Sequence, residues 1–284
     1  MSREADGDDP ADPIDFDQLV TPVAAGPGRF SIHVPDGWQQ GRGAFGGLVL
    51  AYLVRAAEAI AADPARALRS LSAQLVGPLQ PGAAEIAVEV LRAGSSLTAV
   101  AARLVQGGAI QAHAAVTLAR ARPTYAAPHS LAAPPPDLPP WRDLPPAPHV
   151  RPVPPSPVFT RHLDYWPTSP LPLTGADPAD ALVTSGWVRI RRPGRARDAA
   201  FIIAHVDSYW PGFVAAARAP QPAVTLTFSL ETMSDLVGLD PDAPLYYRAR
   251  MLGGRDGYAV EARELWGEDG RLVALNQQVF AVLG

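Results

Sequence analysis

LTAVAARLVQGGAIQAHAAVTLAR, residues 97–120, reads as two β-strands that meet at the glycine pair 107–108. A second stretch of the same design, YAVEARELWGEDGRLVALNQQVFAVLG at 258–284, turns at the Asp-Gly pair 269–270. Such pairs between apolar runs are strong hairpin signals, because they accept the positive φ angles of tight turns. The chain therefore contains two predicted hairpins, one at the end of each half.

The elements before the two hairpins repeat in the same order. RFSIHV (29–34) predicts a strand, and GGLVLAYLVRAAEAIAA (46–62) predicts a helix because its apolar residues recur at helical spacing. The second half offers the strand ALVTSGWVRIRR (181–192) and a helix from about 199 to 217. A lone helix followed by consecutive antiparallel strands favours a sheet wrapped around that helix. We therefore predict an α+β fold of two tandem copies, related by a pseudo-twofold axis.

The letters of the two hairpins also match, although weakly. AVAAR begins at residue 99 and AVEAR at residue 259, an offset of 160 (259 − 99). The second turn is longer by two residues, so the offset after the turn becomes 162. The shared order of elements is the stronger support for an internal repeat.

A proline-rich segment separates the two halves. Residues 121–157 contain 14 of the 32 prolines and show neither helical nor strand periodicity, which is typical of an extended, polyproline-like strap. We predict a disordered acidic tail at 1–13, a first module at 14–121, a proline-rich linker at 122–157 and a second module at 158–284.

Composition excludes several classes of function. The net charge of −4 gives no reason to expect nucleic acid or an anionic membrane as a partner, and no apolar run approaches a membrane span. The acidic start is unlike a signal peptide, so we expect a cytoplasmic protein. There is no cysteine, hence no thiol nucleophile, and the six histidines show no metal-ligand spacing. We therefore expect no metal.

AHVDSYWPGFVAAA, residues 204–217, puts a carboxylate into a run that otherwise reads as the buried face of a helix. Pro211 has no N–H, so the carbonyl of Asp207 loses its helical partner and the helix kinks or stops there. Asp207 is therefore a candidate for chemistry. The alternative is a structural aspartate that caps a broken helix or pairs with an arginine, although Asp198 is better placed for a cap at a helix start.

AVTLTFSLE, residues 223–231, predicts a strand with two different faces. Strict alternation puts three hydroxyl side chains on one side and four apolar side chains on the other. The hydroxyl set is Thr225, Thr227 and Ser229, and the apolar set is Val224, Leu226, Phe228 and Leu230. Such a strand could line a polar site or simply have a wetted outer face. In the last strand, Asn276 and Gln278 share one face and Gln277 lies on the other.

Together these segments resemble the type II (TesB-like) acyl-CoA thioesterases, which are double-hotdog proteins. The resemblance rests on AFGGLVLAYLVRAAEA, VGPLQPG and EVLRAGSSLTAVAARLVQGG in the first half, and on AHVDSYWPGF, AVTLTFS and GEDGRLVALNQQ in the second. It implies a double hotdog, a small-molecule acyl thioester as substrate and a homo-oligomer. It implies no cofactor, because coenzyme A enters only as part of the substrate.

The resemblance also assigns site residues. In that family an aspartate, a threonine and a glutamine activate a water against the thioester, and these fall on Asp207, Thr225 and Gln278. Alternation alone cannot choose between Gln277 and Gln278. Under the 162 offset the first-half counterpart of Gln278 is Val116, which argues for one active site per chain.

Two glycines, Gly46 and Gly47, open the first predicted helix. In hotdog pairs the helix start of one copy often faces the carboxylate of the other, so the amides of Gly47 and Leu48 are candidate oxyanion donors. Tight packing of the helix explains the glycines nearly as well. The family often has glutamine at the position of Leu48, and acidic and imidazole groups at the positions of Thr227 and Phe228. Because this chain differs there, the resemblance does not define which acyl group is the substrate.

RIRRPGRAR, residues 189–197, holds five arginines just before the second predicted helix. Arg191, Arg192 and Arg195 are candidates to bind the phosphates of coenzyme A, since guanidinium groups bind phosphate bidentately. An exposed basic turn explains them equally well.

The leading hypothesis is an acyl-CoA thioesterase. The alternatives are a catalytically inactive acyl-binding double-hotdog protein, or a hotdog enzyme with another reaction on acyl-CoA or carrier-bound acyl chains.

Overall fold

A computed structural model describes residues 14–122, 133–147 and 157–283. The predicted acidic tail at 1–13 and parts of the proline-rich linker lie outside the described residues.

Each half contributes one long run of strands around one helix. The elements of the first half are α1 (Phe16–Leu19), β1 (Val23–Gly26), β2 (Arg29–Val34), β3 (Gln39–Gln40), β4 (Gly43–Ala44), α2 (Gly46–Ala61), β5 (Ala67–Leu75), β6 (Gly82–Ala93), β7 (Leu97–Gln106) and β8 (Ala109–Ala119). Those of the second half are β9 (Leu163–Pro167), α3 (Pro178–Ala181), β10 (Val183–Ile190), α4 (Ala199–Val206), α5 (Gly212–Ala216), β11 (Ala223–Thr232), β12 (Leu245–Arg255), β13 (Tyr258–Trp266) and β14 (Leu272–Val282).

One antiparallel sheet of twelve strands joins the two halves of the described chain, in the order β1-β2-β6-β7-β8-β5-β11-β14-β13-β12-β10-β9. From the central pair β5 and β11, the strand order outward is the same in both directions. The two copies meet where Ser72 of β5 lies opposite Ser229 of β11. This repeated order is the pseudo-twofold double hotdog predicted from the sequence.

The sheet wraps around two helices that pack against each other. Strand β2 alternates strictly between exposed and buried residues, with Phe30, Ile32 and Val34 turned inward. Helix α2 is buried over most of its circumference because the sheet covers one side and α4 the other. Gly47 permits this close packing, since a Cβ there would lie 3.1 Å from the Cα of Ala204.

The second helix is shorter than predicted. The sequence indicated a helix over 199–217, but α4 ends at Val206 and α5 begins at Gly212, after Pro211. Pro211 has no N–H to donate to the carbonyl of Asp207, so the helix cannot continue through this segment. The carbonyl of Val206, the last residue of α4, accepts a hydrogen bond from Arg263 at 3.2 Å. Asp207 is therefore the C-cap residue of α4.

The predicted alternation of β11 is wrong at its start. A β-bulge at Leu226 places Thr225 opposite Phe280 and Thr227 opposite the adjacent Val279. The extra residue reverses the faces, so Thr225 shares the inner face with Phe228 and Gln278 instead of the outer face with Thr227 and Ser229. Val224, predicted to belong to the apolar face, is 44% exposed.

The short sequence match between AVAAR and AVEAR does not align structurally equivalent residues. Both segments lie on equivalent strands, β7 and β13. An offset of 160 pairs Arg103, which is exposed, with Arg263, which is buried. Because side chains alternate between faces, an even offset cannot superimpose the inner faces of these two strands.

The described part of the linker, residues 133–147, covers the outer face of the second module. A separate apolar cluster of Trp166, Trp187, Tyr246 and Trp266 lies on that face. Trp141 of the linker packs edge-on against Trp166, with ring centroids 5.2 Å apart, and Trp187 Nε1 donates to the carbonyl of Pro139 at 2.8 Å.

Substitutions at Trp187 test how much this contact stabilises the fold. Trp187→Ala should reduce the free energy of unfolding by about 3–5 kcal/mol, because it leaves a large cavity. Trp187→Phe keeps a ring but loses the bond to Pro139 and leaves a smaller cavity, and should cost about 1–3 kcal/mol. Urea unfolding measures both, and an unchanged midpoint for Trp187→Ala would show that the linker does not pack as described.

Candidate active site

Asp207 is a buried carboxylate, 8% exposed, at the end of α4. Its Oδ1 accepts a hydrogen bond from Gln278 Nε2 at 2.8 Å and lies 3.4 Å from Arg263 Nη1. Gln278 comes from the middle of β14, where alternation turns it inward and Gln277 outward. The position of Gln278 relative to Gln277 agrees with the assignment made from the resemblance.

The bulge in β11 brings Thr225 to the same place. Thr225 Oγ1 donates to Gln278 Oε1 at 3.2 Å, and Gln278 Nε2 donates to both Asp207 and Asn276 Oδ1, the latter at 3.1 Å. The amide thus has a defined orientation, with its oxygen toward Thr225 and its nitrogen toward Asp207. The three side chains that the resemblance selected form one hydrogen-bonded chain.

The start of α2 faces the Asp207 carboxylate. The Gly47 amide lies close enough to this carboxylate to lower its pKa, and a Cβ on Gly46 would lie 2.7 Å from Asp207 Oδ2. Free N–H groups and the helix dipole make a helix start favourable for an anion. Gly46 is required here because any side chain would push the carboxylate away.

The two predicted oxyanion donors have different surroundings. The Gly47 amide lies at the carboxylate, as described above. The Leu48 amide donates to the carbonyl of Phe45 at 3.0 Å, within the first turn of α2. The structure therefore brings Gly47 into the site and leaves the Leu48 N–H engaged in the helix.

Burial and neighbours act in opposite directions on Asp207. Burial raises the pKa of its carboxyl, whereas Arg263, Gln278 and the Gly47 amide lower it, and the net direction is upward. A carboxylate with a raised pKa is a stronger proton acceptor than an exposed one. The surroundings therefore suit a general base.

Arg263 and Glu261 are site residues that the sequence reasoning missed. Both come from β13 and are 2% and 0% exposed. The contact of Arg263 with Asp207 agrees with one alternative reading of the sequence, a structural pairing of this aspartate with an arginine. The spacing in AVEAR puts the two charges on one face of a strand, but the burial of that face, which makes partners necessary, comes from the structure.

Phe228 takes the inner-face position of β11 opposite Gln278. It is buried, whereas Thr227 points to the other face and is half-buried. An apolar ring therefore borders the site where the family carries polar groups.

The predicted phosphate contacts lie in the connection between β10 and α4, and the helix from its N-cap Asp198 to Asp207 is about 13 Å long. Arg191 pairs with Asp164 at 2.9 Å, and Arg192 with Asp15 at 3.2 Å. Arg195 has an exposed side chain, and its backbone N–H donates to Asp17. Carboxylates of this chain thus bind two of the three arginines, and a contact with coenzyme A stays a prediction.

Within the described ranges, no group of three or more His, Cys, Asp or Glu side chains is placed to hold a metal ion. In the same residues, no helix is long and apolar enough to cross a bilayer.

Two family models match nearly all of the described chain. An acyl-CoA thioesterase N-terminal domain matches residues 34–121, and an acyl-CoA thioesterase C-terminal domain matches residues 133–282. A comparison with curated proteins found no match.

Solved structures share the whole architecture. A conserved protein of unknown function with a hot dog fold from Alicyclobacillus acidocaldarius has a TM-score of 0.80 and 23% identity, covering 95% of this chain and 98% of the other. A protein from Thermobifida fusca YX, provisionally described as a thioesterase II, has a TM-score of 0.78 and 25% identity, with coverages of 96% and 99%. The acyl-CoA thioesterase II TesB2 from Mycobacterium marinum has a TM-score of 0.72 and 17% identity, with coverages of 94% and 98%.

The fold of these structures confirms the double hotdog, and the two family models together span most of the sequence. The chain belongs to the acyl-CoA thioesterase family.

Proposed function

We propose that the protein hydrolyses an acyl-CoA thioester by direct attack of water, with Asp207 as the general base. The observation that carries the proposal is the hydrogen-bonded chain from Thr225 through Gln278 to the buried Asp207, located at the start of α2. No covalent nucleophile is needed, which agrees with a chain that lacks cysteine.

In the proposed reaction, Asp207 takes one proton from a water while the water oxygen bonds to the thioester carbon. The carbon–sulfur bond then breaks, the free acid leaves, and the proton on Asp207 passes to the thiolate of coenzyme A. The Thr225 hydroxyl donates a hydrogen bond to Gln278, so the lone pairs of its oxygen can accept a hydrogen bond from the same water. Fixing a water between an acceptor and a base lowers the entropic cost of the attack.

The Gly47 amide remains our candidate for the oxyanion donor. It faces the Asp207 carboxylate in the structure, so it would have to turn from the carboxylate to the thioester oxygen when substrate binds. The Leu48 amide is not part of this proposal, because its N–H already donates a hydrogen bond to the carbonyl of Phe45.

A second candidate function is acyl binding without turnover. It is favoured by the contact of Asp207 with Arg263, and by apolar Leu48 and Phe228 at positions where the family has polar groups. Thiol release from short, medium, long and aromatic acyl-CoAs distinguishes the two candidates, since only the first yields free coenzyme A.

Asp207→Asn should lower the turnover of the best substrate by at least about a hundredfold, because the amide cannot accept the proton. The variant should remain folded, since burial disfavours the charged form that it removes. Thiol release and circular dichroism measure the two effects.

Asp198→Asn is the matched control at the other end of α4. It keeps an N-cap oxygen for Ala200 and Phe201 but removes the charge that pairs with Arg55, and should cost up to about 1 kcal/mol of stability without a comparable loss of turnover. Equal rates for Asp207→Asn and the wild type would remove Asp207 from the mechanism.

The pH dependence should show an acid limb that belongs to Asp207. The pKa of the Asp207 carboxyl is raised above the ordinary value of 3.8, and only the ionised form can act as a base. Activity should therefore fall as pH decreases, with a midpoint above 3.8. A profile of kcat/KM against pH measures it, and a midpoint at or below that value contradicts the assignment.

Gly46→Ala tests the contact between α2 and the carboxylate. The new Cβ would lie 2.7 Å from Asp207 Oδ2, and we expect kcat to fall at least about tenfold because the base is displaced. Gly94→Ala is the control, since its Cβ would meet Leu97 at an ordinary 3.6 Å. Equal losses in both variants would indicate a general effect on folding.

A further inference from the structure

Arg263 makes three contacts with groups around the end of α4. Its Nε donates to Glu261 Oε2 at 2.8 Å, and its Nη1 lies 3.2 Å from the carbonyl of Val206 and 3.4 Å from Asp207 Oδ1. Arg263 thus binds both the last carbonyl of the helix and the carboxylate that follows it. The guanidinium also lies 5.3 Å from the ring centroid of Phe280, so its planar group is packed as well as hydrogen-bonded.

Glu261 completes the arrangement on the far side of the helix break. Its Oε1 accepts a hydrogen bond from the N–H of Gly212, the first residue of α5, at 3.0 Å. The pair therefore binds the chain immediately before and immediately after the segment 207–211. Because both side chains come from one strand, they fix that segment against the rigid sheet.

We propose that Arg263 and Glu261 form a positioning pair, which holds the helix break that carries Asp207 and controls how readily this carboxylate accepts a proton. The reaction served by the pair is the proposed thioester hydrolysis, and the inference rests on that function.

Other titratable groups around Asp207 are neutral near pH 7. Tyr165 of β9 and Tyr247 of β12 are buried, which raises the pKa of each far above the ordinary value. His205 of α4 is buried and its pKa is lowered to about 4. Helix α2 presents Gly46 and Gly47, and β14 presents an uncharged amide. Among the described residues, the charged neighbours are Arg263 and Glu261.

The two charges should act in opposite directions. Removing the positive charge of Arg263 takes away the main group that favours the ionised carboxylate. Removing the negative charge of Glu261 leaves Arg263 less compensated, so the ionised form of Asp207 is favoured more strongly. A loss of packing alone would not produce shifts of opposite sign.

The experiment compares Arg263→Gln and Glu261→Gln, both of which keep a hydrogen-bonding amide. The acid limb of kcat/KM should shift to higher pH in Arg263→Gln, by about one pH unit or more relative to the wild type. In Glu261→Gln it should shift to lower pH by a smaller amount, because Glu261 acts on Asp207 through Arg263. Arg263→Lys should restore part of the wild-type profile, because it returns the charge without the fork of donors.

Arg248→Gln is the matched control. Arg248 lies on the neighbouring strand β12, opposite Glu264 of β13 at 3.8 Å, and Glu264 is on the face opposite to Arg263. This variant should leave the pH profile unchanged.

A readout that does not need turnover separates the two proposals. The carboxyl resonance of Asp207 in 13C-aspartate-labelled protein, assigned with Asp207→Asn, reports its titration directly. Opposite shifts with an inactive wild type would refute the proposed hydrolysis and support the positioning pair. Shifts of the same sign, or no shift in either variant, would overturn the proposed positioning pair. If Arg263→Gln does not fold, the directions of the pKa shifts in Arg263→Lys and Glu261→Gln provide the test.

Discussion

The burial of one carboxylate at a helix break governs the design of the site. Moving Asp207 out of water is unfavourable, and its pKa rises accordingly. The surrounding structure offsets this cost with an amide at 2.8 Å, an arginine at 3.4 Å and the amide-rich start of α2. None of these groups belongs to α4, and Thr225 comes from a further strand, so the site exists only when both helices and three strands of the sheet, β11, β13 and β14, are assembled.

The two modules have the same strand order but different contacts between their helices. At one end of the helix pair, Gly46 of α2 faces Asp207 of α4. At the start of α4, Asp198 instead pairs with Arg55 of α2 at 2.8 Å. Val116, the first-half counterpart of Gln278 under the 162 offset, is a buried apolar side chain. One copy of the repeat therefore carries the polar chain, while the equivalent region of the other is an ion pair and an apolar core.

Local patterns allowed the larger features to be predicted. The hairpin turns, the glycine start of α2 and the effect of Pro211 depend on neighbouring residues, and each is visible in a short stretch of sequence. The bulge at Leu226 was missed because it falls in a regular strand pattern without glycine or proline. It matters because it turns Thr225 toward Gln278.

Contacts between distant residues could be predicted only through the family. Asp207 meets Gln278 across 71 residues and Arg263 across 56. The resemblance supplied Gln278, but neither alternation nor the resemblance supplied Arg263 and Glu261. Their burial required the three-dimensional register of β13 against α4, which a letter match with an offset of 160 places on the wrong face.

The most direct test of the account is a crystal structure of the Asp207→Asn variant with an intact acyl-CoA bound. We expect the thioester carbon within about 3.5 Å of a water that contacts both Thr225 and the side chain at position 207. A thioester bound elsewhere, with no water between these side chains and its carbonyl carbon, would contradict the account.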